Sequence, residues 1–232
     1  EASMGGRLSV GMVRFAHVRD VTKAASILAK HASEKVELAI VPYHSKNFML
    51  SRAYIEYRLD RLLQRGSDQE APLRDPAVRQ RLEQARLAGK SLCIVVVCSP
   101  VEEVGRDHDF DWAIIEPSST RSIVQAAGRV LRHRPGLEPE HPNVRLYRKP
   151  LRAFRSEFQN RPIYAHPGFE TGASDLSNRL HYKEYRHDMA FLLDMTNPDA
   201  VRLIQSTWCT LPEYPLPCIE NDSIAEYLEA NF

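Results

Sequence analysis

A chain of 232 residues with 31 Lys/Arg against 30 Asp/Glu carries almost no net charge, so charge alone neither demands nor excludes a nucleic-acid partner. Its 43% hydrophobic content can fill the core of one large or two small domains, which excludes a disordered or fibrous chain. No apolar run approaches the roughly 18 residues of a membrane span, and the cysteines show neither zinc-like spacing nor a disulfide framework. The expectation is a reducing, cytoplasmic setting with no membrane partner.

Residues 1–6 read as a leftover or a loop ahead of the first element. Residues 8–16 read as a strand, 20–32 as a helix starting near Asp20 or Thr22, and 36–42 as a second, short strand. Leu50, Tyr54, Tyr57 or Leu59, and Leu62 recur at helical spacing and predict a helix over 48–64. The polar stretch 66–76 contains two prolines and reads as a mobile loop, followed by a helix over 77–88 that ends at Gly89. Residues 92–98 are a continuous apolar run of the kind covered on both faces in a parallel sheet, with Cys93 and Cys98 as reduced core thiols. A strand over 112–115, a helix carrying Gln125 and an edge strand over 144–147 complete the series.

This alternation predicts an α/β fold over 7–150: a doubly wound, mostly parallel sheet with helices on both faces. Beyond residue 150 the rhythm stops. Helices over 175–193, from Asn197-Pro198 (an N-cap and a first-turn proline) to 205, and over 222–229 imply a small, mainly helical C-terminal region over 151–232. Charge is uneven too: residues 117–155 hold nine Lys/Arg and two Glu, whereas beyond Arg202 five acids stand without a base.

In a doubly wound sheet the strands' carboxyl ends point to one edge, where ligands bind. Three polar segments follow strand ends and should converge there: Tyr43-His44-Ser45-Lys46, residues 99–109, and residues 118–120. The last leads into Gln125-Ala126-Ala127-Gly128-Arg129-Val130-Leu131-Arg132. Read as one helix, this segment lines up Gln125, Arg129 and Arg132 on a single face. Gly128 at mid-helix costs about 1 kcal/mol relative to Ala, which implies a close approach to its backbone. An ordinary solvated amphipathic helix is the alternative.

The pattern Q-x-x-G-R-x-x-R at 125–132 resembles motif VI of superfamily 2 helicases, and Ser99-Pro100-Val101-Glu102-Glu103-Val104-Gly105-Arg106-Asp107 resembles their motif V. The longer strings EEVGRDHDFDWAIIEPS and RSIVQAAGRVLRHR, with YHSKNFMLSRAYIE, are similar to the helicase portion of the CRISPR-associated helicase–nuclease of type I systems, most like subtype I-F. The resemblance covers residues 7–150 and implies a second RecA-like lobe, with 151–232 as linker and accessory domain. No G-x-x-x-x-G-K-[ST] and no D-E-x-H occur; in the family these lie on the first lobe. ATP and Mg²⁺ are therefore expected as cofactors of the complete enzyme, with none retained by this chain alone, which should not hydrolyse ATP.

The resemblance implies that Arg129 and Arg132 reach across the cleft to the γ-phosphate, with Gln125 bonding near the nucleotide. Gly105, Asp107 and Gly128 would border that nucleotide. Ser99 would touch a nucleic-acid phosphate or cap its own loop. His44, Ser45 and Lys46 would contact the DNA backbone or form a solvated loop, and Arg121 adds positive charge. Glu102 and Glu103 point apart in an extended loop, which favours structural roles over an acid–base pair. The family further implies single-stranded DNA, the first lobe and the RNA-guided surveillance complex as partners, with 3′→5′ translocation.

His187-Asp188 spells a metal-phosphohydrolase dipeptide, but His181 and His166 are poorly placed to complete a site, so no metal is expected there. Two alternatives stay open: a docking module for the surveillance complex or an anti-CRISPR inhibitor protein, and a lobe of another superfamily 2 helicase.

Overall fold

Strands β1 (Leu8–Arg14), β2 (Val36–Tyr43), β3 (Ser91–Cys98), β4 (Trp112–Ile115) and β5 (Val144–Leu146) form one sheet in the order β2-β3-β1-β4-β5. The computed structural model describes residues 6–156 except 67, 104 and 135. The helices read beyond 170 and the His187-Asp188 dipeptide lie outside the described residues. The β1–β3, β1–β4 and β2–β3 pairs are all parallel. β1 and β3 read as near-continuous apolar runs because both faces are covered: Val10, Met12, Val96 and Val97 are fully buried.

The helices are α1 (Val18–Ala29), α2 (Met49–Leu63), α3 (Pro76–Leu87) and α4 (Thr120–Ala127). The step from β1 to β2 and the step from β2 to β3 run in opposite directions across the sheet. Right-handed crossovers therefore put α1 on one face and α2 with α3 on the other. α1 buries Val21 and Ala25, one turn apart. α3 has strong punctuation: the Asp75 carboxylate accepts the Ala77 N–H at 2.9 Å, Pro76 opens the first turn, and Gly89 at φ +70° closes it. Asp75 also binds Arg58 of α2 at 2.7 Å, tying the two helices together.

Close approach explains Gly11. It pairs with Trp112 across the sheet, and a Cβ at Gly11 would lie 2.0 Å from the indole. The indole N–H in turn donates to Ser9 Oγ at 2.9 Å.

The stretch 66–76 departs from the expected loop. Residues Ala71–Arg74 form a 3-10 turn with Ala71 and Pro72 buried, because the fixed φ of Pro72 favours that turn and its ring has core to cover. Among the described residues no helix is long and apolar enough to cross a membrane.

Contacts divide the chain into two units, residues 1–115 with 125–145, and residues 116–124 with 146–232. In the second, the Leu151 N–H donates to the buried Glu116 carboxylate at 2.7 Å, at the start of a 3-10 turn over Leu151–Phe154.

Candidate functional site

Strand β3 hands the chain to the 99–109 loop at the sheet's carboxyl edge. The buried Ser99 donates its N–H to the Tyr43 carbonyl at 3.1 Å, so the ends of β2 and β3 are joined there. A 3-10 turn over Pro100–Glu103 then turns both glutamates inward, and both are buried. Glu103 accepts from Arg14 Nε at 2.5 Å, and Arg14 is itself fully buried at the end of β1. Glu102 meets His108 Nδ1, whose other ring nitrogen lies 2.9 Å from Asp60 on α2. Burial works against charge on His108, but the bonds to Glu102 and Asp60 outweigh it and hold the imidazole above its ordinary pKa. Glu102 and Glu103 thus pair with His108 and Arg14 in structural roles, although they stand in a 3-10 turn and both face inward, where the sequence reading had an extended loop that points them apart.

The motif over 125–132 corrects the sequence reading. α4 stops at Ala127, and Gly128 and Arg129 form a turn rather than a continuing helix. Phe110 then captures the chain as a short parallel bridge: its N–H donates to the Arg129 carbonyl at 2.8 Å, and its carbonyl accepts from the Leu131 N–H at 3.0 Å. Leu131 takes a left-handed conformation at φ 52° to make the next turn. Gln125, Arg129 and Arg132 therefore share no helical face. Gln125 is exposed, Arg129 is buried, and Arg132 is exposed. Gly128 stands at the helix end, where its poor helix propensity helps the chain leave the helix.

The two arginines sit in different surroundings. Arg129 Nη2 donates to the Glu103 main-chain carbonyl at 2.9 Å, while its Nη1 is buried without a hydrogen-bond partner. Burial, then the neighbouring Arg132, push its pKa down. Arg132 Nε lies 3.0 Å from Asp107, which also binds His133 Nε2 at 2.8 Å. The bond from His133 is the main cause holding the Asp107 carboxyl below its usual range. Gly105, exposed at φ +66° with open space around its Cβ position, needs glycine for its conformation.

Beneath this surface, the fully buried Asp109 accepts the Arg132 and His133 amides at 3.2 and 3.3 Å and the Arg134 guanidinium at 2.7 Å. Arg134 also pairs with Asp111 at 2.7 Å. Arg134 is therefore a structural clamp between the two motifs rather than a free surface cation.

The third segment is a tight turn. Asn47 accepts the His44 N–H on its side chain at 2.7 Å and donates its own N–H to the His44 carbonyl at 3.1 Å. Ser45 and Lys46 are exposed, whereas His44 is buried with Nδ1 unpartnered, and desolvation lowers its pKa. Behind it, Glu56 of α2 gathers Tyr43 Oη at 2.8 Å, Arg52 Nε at 2.9 Å and Arg106 Nη2 at 2.7 Å. Burial opposes ionisation of Glu56, but these three donors take its pKa down to about 2. Burial and then the bond to Glu56 push Tyr43 up to about 12. Arg121 is exposed on the first turn of α4, in the second unit.

The structure thus brings Ser99, Gly105, Asp107, Arg129, Arg132 and the 44–46 turn to one edge. The sequence reading missed Arg14, Glu56, Asp60, Arg106, His108 and Asp109, which hold that edge together. Arg14 carried a signal, as a lone charge closing the apolar run of β1.

A family model for the C-terminal part of the CRISPR-associated nuclease/helicase Cas3 matches residues 7–135. The chain is 42% identical over 191 residues to the CRISPR-associated nuclease/helicase Cas3 subtype I-F/YPEST of Pseudomonas aeruginosa (strain UCBPP-PA14), covering 82% of this chain and 16% of that protein. It is 38% identical over 191 residues to the protein of the same name from Pectobacterium atrosepticum, covering 79% and 17%. The chain spans about a sixth of the length of these curated relatives. Among solved structures, T. fusca Cas3–ADP is similar with a TM-score of 0.44 at 19% identity, covering 61% of this chain and 15% of that one.

Proposed function

Because the chain belongs to the Cas3-like C-terminal family, we propose that it is the second lobe of an ATP-dependent motor. That motor would move 3′→5′ along single-stranded DNA in type I CRISPR interference, recruited by the RNA-guided surveillance complex. In this reading Arg129 and Arg132 serve as arginine fingers at the ATP γ-phosphate, in a cleft shared with the first lobe. Gln125, Gly105, Asp107 and Gly128 border the nucleotide. Ser99, His44, Ser45 and Lys46 follow the DNA backbone, and Arg121, in the second unit, adds positive charge for single-strand binding.

The observation that carries this reading is the buried, unpartnered Nη1 of Arg129. Leaving a buried donor unmade costs roughly 1–3 kcal/mol, and more for a charged group. A phosphate oxygen is the acceptor class that a guanidinium fork recognises. When bound, ATP supplies the phosphoryl group whose developing charge the two arginines would neutralise. Among the described residues no three His, Cys, Asp or Glu side chains gather to hold a metal ion. On the family resemblance, magnesium would be held by acidic residues of the first lobe, and this chain alone is expected to turn over no ATP.

Arg132 offers the clean test, because its side chain is 43% exposed and its pair with Asp107 is worth only about 0–1 kcal/mol. In the two-lobe enzyme Arg132→Ala should lower turnover about 10³-fold or more while leaving the melting temperature nearly unchanged. Turnover within a few-fold of the parent would sink the arginine-finger assignment.

A further inference from the structure

A cleft of about 440 Å³ opens at the amino ends of β1 and β4, on the opposite edge of the sheet from Ser99 and the 44–46 turn. That volume falls within the roughly 300–1,000 Å³ of small-molecule sites. The residues around it all belong to the first unit. Arg65, the second residue beyond α2, stands in the wall with its side chain only 5% exposed.

Arg65 Nη1 pairs with Asp111 at 3.0 Å, but Nε and Nη2 are buried without a partner. Those two nitrogens are the neighbouring donors on one edge of the guanidinium, the edge that takes both oxygens of a carboxylate side-on. Asp111 is already occupied: it also accepts the Val10 N–H at 2.7 Å and Arg134 Nη1 at 2.7 Å. Arg134 in turn gives its other donors to Asp109 and the Phe110 carbonyl. The fork of Arg65 is therefore the part of this network left open.

The surroundings restrict what can fill it. Arg65 and Arg134 against Asp109 and Asp111 make a set without net charge, so a guest with several negative charges would stand largely uncompensated. The exposed Glu70 on the same cleft repels such a guest further, which disfavours phosphate dianions and nucleic-acid strands. Leu8, Pro72 and Leu73 add apolar wall, which suits a carbon body. Ser9 Oγ accepts the Trp112 indole N–H at 2.9 Å, so its own proton is left for an oxygen in the cleft. Water meets these donors singly and leaves the apolar wall wet.

We propose that this cleft binds a small organic monocarboxylate, seated bidentate on Arg65 Nε and Nη2 with its apolar body against Leu8, Pro72 and Leu73. Such a site is independent of the motor reading above and uses none of the residues assigned to nucleotide or DNA.

Calorimetry on the full chain at constant ionic strength tests it, with butyrate and benzoate as probes and butyramide and inorganic phosphate as comparators. Each carboxylate should saturate one site. Butyramide should bind about tenfold or more weakly, since it offers the fork one oxygen and no charge. Phosphate should not saturate over the same range. Arg65→Lys keeps the charge beside Asp111 but has no fork, and should weaken the carboxylates about tenfold or more. Glu70→Gln removes the like charge from the cleft and should tighten them by up to about fivefold. Glu70 is exposed, so this variant folds as the parent does and decides the question if Arg65→Lys does not fold. Absence of a saturable signal from both carboxylates overturns the site and leaves a cleft holding water only. So does carboxylate affinity unchanged in Glu70→Gln or in folded Arg65→Lys. Saturation by phosphate in preference to the carboxylates overturns the ligand class.

Discussion

The Arg129 guanidinium donates to the main-chain carbonyl of Glu103 at 2.9 Å, and the side chain of the same glutamate is gripped by the buried Arg14. The end of the first strand, the loop after the third and the turn after the fourth helix are thereby fastened around one residue. The catalytic candidate is held by its neighbour's backbone, and that backbone is held by a buried ion pair. A chain of this kind sets where Arg129 can stand without touching the nucleotide itself.

Removing one member of that pair should cost about 3–5 kcal/mol, because the other charge is left buried. Arg14→Met and Glu103→Leu are each expected to lower the unfolding free energy by that amount, read from the shift in denaturation midpoint multiplied by the m-value. The double variant should recover much of the loss. Denaturant titration of the four proteins measures the coupling directly, and simple additivity of the two losses would contradict it.

His108 predicts a pH dependence on the alkaline side. Its folded pKa is raised above its ordinary 6.5 by Glu102 and Asp60, despite burial. The stabilisation is therefore full below about pH 6.5 and is lost as pH rises through the folded value. Melting temperatures from pH 6 to 9 should fall more steeply for the parent than for His108→Gln, which has no proton to lose.

Glu56 predicts the opposite. Its carboxyl is held at about 2, against an ordinary 4.5. Its stabilisation is present above about pH 4.5 and lost as pH falls toward 2, on the order of 2 kcal/mol after allowing for screening at a part-exposed site. Glu56→Gln should flatten the acid limb of the stability curve, and an unchanged limb would remove Glu56 as its source.

Gly11→Ala tests packing alone. The added methyl would meet the Trp112 ring at 2.0 Å, so the indole or the strand must move. A loss of about 1–3 kcal/mol or more is expected, as for other overpacked cores. Trp112→Ala in the same chain should relieve the clash specifically, giving a double variant more stable than the sum of the single losses.

Most of the sheet was legible in the sequence because its signals are local. The strand read over 92–98 is observed as Ser91–Cys98, and the helix read over 48–64 as Met49–Leu63. An apolar run or a helical period needs only its own residues to be seen. The convergence of the 44–46 and 99–109 segments on one edge was legible for a related reason, whereas the third segment read there, 118–120, falls in the second unit. Parallel strands must place their carboxyl ends together, whatever the side chains there.

The rest depended on contacts between distant segments. The sequence by itself determined the strand–helix order, the family and the residue types offered at the carboxyl edge. Only the tertiary structure decided that Arg129 is buried and Arg132 exposed. The physical reason is the Phe110–Val130 bridge, which ends α4 and turns the two arginines apart, and no local window contains it. The same holds for Arg14, His108 and Asp109. A lone charged residue in a sequence does not disclose its partner, and burial of a charge is tolerated only where folding supplies one.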